Sequence, residues 1–267
     1  MFCTDCIFDN EKLSDHGIII CGFDGSTATQ TGGEVTFITT QSPNTNIFTF
    51  HTSKCEEPIK FTFSICKDPC KYNTQEEMYF TQDEQSYIMR WLQRLDGYKW
   101  LAFDQDGWED VWFNAQINPQ PHFINGRVAG YDLSVTTDSP WGWSQEHRKI
   151  KTIPVNDTLS IINYSDITGV VYPKATIVAK GNGEVAIKTG CTNYQKTTRV
   201  RNVSSGDEII LYGYNDFISG VDNIDNFNYE FPIMANGYDD IETNFTNIGD
   251  MDIDIKLVYR FVRRVHI

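Results

Sequence analysis

The strongest constraint on the fold is one helical segment enclosed by segments that alternate like β-strands. Thr81 and Glu84 have the spacing of a capping box, in which each residue satisfies a free backbone N–H group of the other. Asp83 is an alternative N-cap. Apolar side chains then recur with a helical period at Ile88, Trp91, Leu92 and Leu95. Gly97 supplies the backbone freedom that commonly ends a helix, so we predict one α-helix that ends there.

The flanking segments alternate with the period of two that is typical of strands. Three of them follow the helix, and the turn sequence Asp104–Gly107 between the first two predicts a hairpin. The predicted strands before the helix are 6–10, 17–23, one or more within 33–50, and 59–66, and those after it are 98–103, 111–117 and 127–135. This order favours a mainly β domain, a split barrel or β-sandwich with one α-helix packed across it, over alternating βαβ units.

The amino-acid composition of the chain changes after Trp143. Residues 144–152 are charged and polar and Pro154 follows, so we predict a linker over 144–154 between an N-terminal domain, 1–143, and a C-terminal domain, 155–267. Short β-like runs with turns between them occur at 158–164, 170–180, 183–188, 197–203, 208–212, 227–232 and 251–261. Regularly spaced short strands of this kind predict a β-sandwich.

The charge balance excludes several classes of partner. Asp and Glu number 36 against 22 Lys and Arg, a net charge of −14. Phosphate binding needs clustered Lys and Arg, so we expect no specific nucleic-acid binding. No apolar run reaches the roughly 20 residues of a membrane span, and the N-terminus lacks the pattern of a cleaved secretion signal. We therefore expect neither a membrane partner nor secretion.

Two pairs of closely spaced cysteines could bind a metal ion. Cys3 and Cys6 form one pair, and Cys66 and Cys70 form the other, so four thiolates are present for a tetrahedral zinc site. The pairs lie about 60 positions apart without Gly-rich knuckle turns, and the odd total of seven cysteines argues against a disulfide framework. Reduced, mostly buried thiols are the favoured interpretation. Zinc stays the alternative if the first strand lies beside the strand that ends at Cys66.

The sequence contains no recognisable catalytic motif. None of the five histidines has metal-ligand spacing, and neither a nucleophile elbow nor a phosphate-binding Gly-Lys-Ser loop occurs. A glycosidase could use two of the paired carboxylates, which are Asp104/Asp106, Glu109/Asp110, Asp207/Glu208, Asp239/Asp240 and Asp252/Asp254. Solvated faces and turns are the favoured explanation for them. We predict no catalytic residue, no cofactor and no enzymatic activity.

Four tryptophans leave two interpretations open. Trp108, Trp112, Trp141 and Trp143 could form a platform that stacks on sugar rings, or they could pack the predicted hairpin against the helix. The second interpretation is favoured, because buried aromatic side chains are a common part of a core.

The ordered set of motifs resembles the distal tail protein (Dit) family of long, non-contractile bacteriophage tails. The resemblance covers nearly the whole chain. In the N-terminal half its motifs are Ile7–Asn10, Gly17–Ile19, Gly22–Gly25, Trp91–Leu92, Gly97–Leu101, Val111–Ile117, Gly130–Leu133 and Asp138–Trp141. In the C-terminal half they are Asn163–Asp166, Tyr172–Pro173, Arg201–Val203, Gly206–Ile210, Phe231–Pro232 and Tyr259–Arg260.

This resemblance implies a structural hub without catalytic residues. The family implies an N-terminal belt domain that forms a ring, usually hexameric, and a C-terminal galectin-like β-sandwich outside the ring. Such a ring joins the tail tube to the adsorption apparatus and lets DNA pass. The implied partners are other copies of the chain, the tail tube protein, and tail-associated, tail-fibre or receptor-binding proteins. The implied location is the distal end of the tail in the virion or in a prophage-encoded tail-like particle, after synthesis in the bacterial cytoplasm.

Two alternatives from other classes remain. One is a carbohydrate-binding, lectin-like adhesion module of the host-recognition apparatus. The other is a β-rich glycosidase that uses two of the carboxylates named above.

Overall fold

The structure, a computed structural model, describes residues 3–22, 30–41, 47–55, 57–72, 74–212, 218–219 and 226–264. It is mainly β and contains one α-helix among these residues, α1 (Gln82–Leu92), which confirms the predicted fold class. The described sheets are open, so the split-barrel form of the prediction is not observed. The chain forms two compact units, one that extends to Trp143 and also includes Arg264, and one formed by Ser144–Arg263. None of the described helices is long and apolar enough to cross a membrane.

The N-terminal unit contains one main antiparallel sheet and a separate pair of strands. Its strands are β1 (Cys6–Phe8), β2 (Glu11–Lys12), β3 (Ile18–Cys21), β4 (Gln30–Thr31), β5 (Val35–Gln41), β6 (Phe48–Cys55), β7 (Lys60–Lys67), β8 (Lys99–Phe103), β9 (Trp112–Ile124), β10 (Arg127–Thr137) and β11 (Gly142–Trp143). The main sheet has the order β2-β1-β8-β9-β10-β7-β3, while β4 also pairs with β7 and β11 with β9. The predicted hairpin is present as β8 and β9.

One face of this sheet carries the core of the N-terminal unit. On β7 the buried residues Phe61, Phe63 and Ile65 lie opposite Val135, Leu133 and Tyr131 of β10, which are also buried. Alternate residues of a strand point to opposite faces, so this row defines the inner face. The buried helix residues Ile88, Trp91 and Leu92 belong to the same apolar cluster. The helix therefore covers the inner face, as its apolar stripe predicted.

The start of the helix is as predicted, but its end is not. Thr81 and Glu84 form the capping box, with each side chain bonded to the backbone N–H group of the other. The helix ends at Leu92, and Gln93 leaves the helical conformation with φ −87° and ψ 78°. Arg94 then pairs with Asp9 beyond the end of β1. Because the turn that makes this ion pair replaces the last helical turn, Leu95 is 95% exposed and does not extend the buried stripe.

A buried lysine ties the helix to the sheet. The Nζ of Lys67 lies 2.8 Å from Oε1 of Glu84 and donates a hydrogen bond of 3.0 Å to the carbonyl oxygen of Glu77. The same ammonium group lies over the rings of Tyr72 and Phe80. Burial of a charged group is tolerated only with such partners. Burial raises the pKa of the Glu84 carboxyl, but hydrogen bonds from Lys67 and Thr81 outweigh it, so the pKa lies below its ordinary value.

We predict that the Glu84 carboxylate contributes stability only above acidic pH. A lowered folded-state pKa gives stabilisation that is complete above the unfolded-state pKa of about 4.3 and is lost as the pH falls through the folded-state value. Glu84→Gln should therefore lower the midpoint of urea unfolding at pH 7 and have a much smaller effect near pH 3. Asp83→Asn, a change in the same helical turn at an exposed position, is the matched control. Equal effects of Glu84→Gln at both pH values would contradict the prediction.

The C-terminal unit contains two main antiparallel sheets. Its strands are β12 (His147–Ile153), β13 (Thr158–Ile162), β14 (Gly169–Val171), β15 (Lys174–Ala179), β16 (Gly183–Gly190), β17 (Gln195–Val203), β18 (Glu208–Leu211), β19 (Ile218–Ser219), β20 (Met234–Asn236), β21 (Glu242–Asn247), β22 (Ile253–Tyr259) and β23 (Val262–Arg263). One sheet has the order β12-β22-β15-β18-β19, the other β13-β21-β16-β17, and β14 pairs with β20. Both bury alternate residues, as a β-sandwich requires.

The predicted linker over 144–154 is wrong in its secondary structure. It contains β12, which pairs along its whole length with β22, from His147 opposite Tyr259 to Ile153 opposite Ile253. Because β12 is the end strand of its sheet, most of its side chains face solvent and resemble a linker in composition. The predicted strand at 227–232 is also absent, since only Phe227 makes a β-bridge, to Val200.

Candidate functional site

The most unusual surface of the described residues is a two-stranded arm formed by β5 and β6. These strands pair with each other and, among the described residues, with no other strand. Phe37 lies opposite Ser53, Thr39 opposite Phe50 and Gln41 opposite Phe48. This register places Phe37, Phe48 and Phe50 on one face, hereafter the aromatic face.

The aromatic face of the arm lies open to solvent. Phe37, Phe48 and Phe50 are 67%, 63% and 58% exposed. The rings of Phe37 and Phe50 touch edge to face, with centroids 6.2 Å apart. The opposite face carries mainly polar side chains besides Ile38, and there His51 Nε2 lies 2.8 Å from the hydroxyl oxygen of Thr40. An exposed aromatic patch on an amphipathic hairpin is a typical protein–protein contact surface.

The arm departs from the sheet at two glycines. Gly32 and Gly33 have φ values of +81° and +71°, a region that other residues rarely adopt. A Cβ atom on Gly32 would lie 2.0 Å from the carbonyl oxygen of Pro58. The N–H of Gly33 donates a 3.2 Å hydrogen bond to the carbonyl oxygen of Glu57, two residues beyond the end of β6. The two ends of the arm are thus held together where β4 passes into β5.

The four cysteines considered for zinc do not converge. Cys6 lies on β1 and Cys66 on β7, and β8, β9 and β10 separate these strands in the sheet. The condition for the zinc alternative, adjacent first and seventh strands, is therefore not met. Cys3 and Cys6 are buried, and burial raises the pKa of both thiols, whereas Cys70 is exposed. No cluster of three or more metal-ligating side chains occurs among the described residues.

The four tryptophans do not form one platform. Trp108 packs against Phe103 and Phe113, whose rings belong to the core of the N-terminal unit. Trp112 precedes Phe113 on β9 and therefore points to the other face of the sheet, where β11 places Trp143 opposite it. All four are only partly exposed. Only Trp108 therefore packs against the core that the helix covers, so the four tryptophans neither form one sugar platform nor all pack the hairpin against the helix.

The pKa shifts of the described carboxyl groups bear on the glycosidase alternative. A glycosidase needs one carboxyl group whose pKa is raised. Every described carboxyl group whose pKa departs from its ordinary value has it lowered, as hydrogen bonds from backbone N–H groups do at Glu109 and a bond from Tyr87 does at Glu11. Asp104 and Asp106 lie exposed in a turn beside Glu109.

The C-terminal unit has a shallow cavity that bears on the lectin alternative. Its volume is about 240 Å³, and it is lined by Glu146, Tyr172, Lys174, Tyr212, Val258, Tyr259 and Arg260. Lys174 lies over the ring of Tyr212, 4.5 Å from its centroid, so this ring already has a cation as partner on one face.

Comparison with known proteins places the chain in a family. Residues 1–139 match the family model of a phage tail protein N-terminal domain, and residues 141–259 match that of a phage tail C-terminal domain. The chain belongs to this phage tail protein family. The match extends over the aromatic arm, so the arm is part of the phage tail domain. No curated protein matches the sequence significantly.

A solved structure has the same fold. It is the crystal structure of the Dit protein (gp 19.1) of phage SPP1, whose title describes a hub adsorption apparatus in phages that infect Gram-positive bacteria. The TM-score is 0.60 at 10% sequence identity, and the match covers 96% of this chain and 98% of that one. At this identity the likeness establishes the fold. The resemblance to the distal tail protein family is confirmed at that level.

Proposed function

We propose that this phage tail protein is a distal hub that assembles with copies of itself into a closed ring, most simply of six subunits. The ring would join the tail tube to the tail-tip adsorption apparatus and leave a passage for DNA. Its other partners would be the tail tube protein and tail-associated, tail-fibre or receptor-binding proteins. It would act at the distal end of the tail as a scaffold, without catalysis, metal or cofactor.

The aromatic arm is the observation that supports self-assembly. Covering the exposed parts of its three phenylalanines would contribute roughly 3–6 kcal/mol, at about 1.5–3 kcal/mol for complete burial of one large apolar side chain. The outer edges of β5 and β6 also carry backbone groups that could extend another sheet. Every copy carries both the aromatic face and the surface that this face would bind. Repeated contacts of this kind form a closed ring when the rotation between neighbouring copies closes.

The charge of the chain suits a passage for DNA. With 36 acidic residues against 22 basic ones, each subunit carries a net charge of −14. A wall with a negative potential repels phosphate groups and would not hold the passing nucleic acid. SPP1 Dit is described as a hub of the adsorption apparatus, and this chain shares its fold. That likeness supports the same position in the tail.

Native mass spectrometry and light scattering of the purified chain test this proposal. Six copies of a 30.6 kDa chain weigh about 184 kDa, and we expect this mass at micromolar concentration. A closed ring should also give one dominant species, whereas an open filament gives a ladder of masses. A monomer from micromolar to near-millimolar concentration would contradict the ring and favour the lectin-like adhesion module.

A further inference from the structure

The outer face of the N-terminal sheet brings together two cysteines that are far apart in sequence. β3 and β7 are antiparallel neighbours, with Ile19 opposite Cys66, Ile20 opposite Ile65 and Cys21 opposite Ser64. Ile65 is fully buried in the core, so Cys66 beside it points to the outer face. The register places Cys21, two residues after Ile19 on β3, on that same face, so the two thiols are diagonal neighbours.

The two thiols interact, and both side chains are partly exposed. The S–H group of Cys21 hydrogen-bonds the sulfur of Cys66, and both side chains are only partly buried. This hydrogen bond raises the pKa of Cys21 far above its ordinary value and lowers the pKa of Cys66, because it stabilises the Cys66 thiolate. The thiolate is the form that reacts with disulfides. The pair thus combines a thiol that can react as a thiolate with a second thiol on the adjacent strand.

We propose that Cys21 and Cys66 form a thiol–disulfide exchange site whose substrate is a small disulfide such as oxidised glutathione. The Cys66 thiolate attacks one sulfur of glutathione disulfide, breaks its S–S bond and releases one glutathione thiolate. Cys21 then loses its proton to solvent, attacks the Cys66 sulfur of the mixed disulfide and releases the second glutathione. Two protein thiols are oxidised to one disulfide, and one glutathione disulfide is reduced to two thiols.

The bridge would act on the part of the chain that contains the arm. β3 is an end strand of the main sheet, and the residues between Cys21 and Cys66 include both β5 and β6. A Cys21–Cys66 disulfide would close a loop around this whole segment and fasten β3 to β7. A disulfide restricts the unfolded chain and so opposes detachment of the strands it joins. The exchange chemistry does not depend on ring formation, so its test is independent of the proposed function.

Peptide mapping of the full chain tests the site. The reduced protein is treated with oxidised glutathione, remaining thiols are alkylated, and peptides are analysed without reduction. We expect the loss of two reactive thiols and one cross-linked peptide pair that contains Cys21 and Cys66. In Cys21→Ser the second attack is impossible, so glutathione should stay attached to Cys66.

Cys70→Ser is the matched control, because it removes an exposed thiol four positions from Cys66 and should leave the bridge intact. A bridge between Cys66 and Cys70 would overturn the proposal. So would a wild-type chain in which both thiols stay free, or in which glutathione stays on Cys66 without a bridge.

Discussion

Trp91→Ala should lower the free energy of unfolding of the N-terminal unit by about 3–5 kcal/mol, the range for truncation of a buried aromatic side chain. Trp91 is 4% exposed and packs beside Tyr87 and His16. Its indole N–H donates a 3.2 Å hydrogen bond to the carbonyl oxygen of Phe8 on β1. The substitution therefore leaves a cavity between the helix and the sheet and removes a hydrogen bond that joins them.

The composition of the chain allows this effect to be assigned to one unit. All six tryptophans lie between residues 91 and 143, so tryptophan fluorescence during urea unfolding reports the N-terminal unit alone. Hydrogen exchange in peptides from β22 reports the C-terminal unit. We expect the fluorescence transition to move and exchange in β22 to change little. Leu95→Ala, at a 95% exposed position, should shift neither signal. Equal destabilisation of both units would contradict the predicted domain boundary at residue 143.

Local interactions explain which parts of the fold could be predicted from the sequence. The capping box and the stripe Ile88, Trp91 and Leu92 depend only on contacts within a few positions, and the structure contains them as predicted. The end of the helix depends on a distant partner, because Arg94 reaches Asp9. Leu95 fits the helical period but lies outside the helix for that reason. A period shows which residues share a face and not how far the helix extends.

The order of the strands in the sheet could not be predicted from the sequence. The alternation in β7 correctly places Phe61 and Phe63 inside, but it gives no information on which strands lie beside β7. Sequence spacing grouped Cys66 with Cys70, whereas strand pairing makes Cys66 a diagonal neighbour of Cys21 on the same face of the sheet. The end strand β12 was missed because its exposed polar side chains resemble those of a linker.

The exposure of the aromatic face of the arm also could not be predicted from the sequence. Its Thr- and Phe-rich sequence predicts strands, and the structure contains them as β5 and β6. Alternating Phe residues normally indicate a face that packs on the core of the same chain. Only the departure of the arm from the sheet leaves that face uncovered. The sequence therefore contained the signal for the contact surface, but the same signal describes an ordinary core strand.

The double variant Phe37→Ser/Phe50→Ser should abolish assembly, changing the mass from about 184 kDa to that of the 30.6 kDa chain at micromolar concentration. It removes two rings of the aromatic face, and both side chains are more than half exposed in the single chain. Tryptophan-detected stability of the isolated chain should therefore change by no more than about 0.5 kcal/mol, as for most surface substitutions. Loss of assembly without loss of stability distinguishes a contact surface from a structural core.

Two controls separate the aromatic face from the arm as a whole and from exposed apolar surface in general. Thr36→Ala/Thr49→Ala alters the opposite face of the same hairpin, where the register places both threonines. Leu95→Ser/Tyr238→Ser removes exposed apolar side chains outside the arm. Both controls should keep the mass of the wild-type assembly. An assembly that survives Phe37→Ser/Phe50→Ser, or that is lost equally in either control, would show that the aromatic face is not the contact that closes the ring.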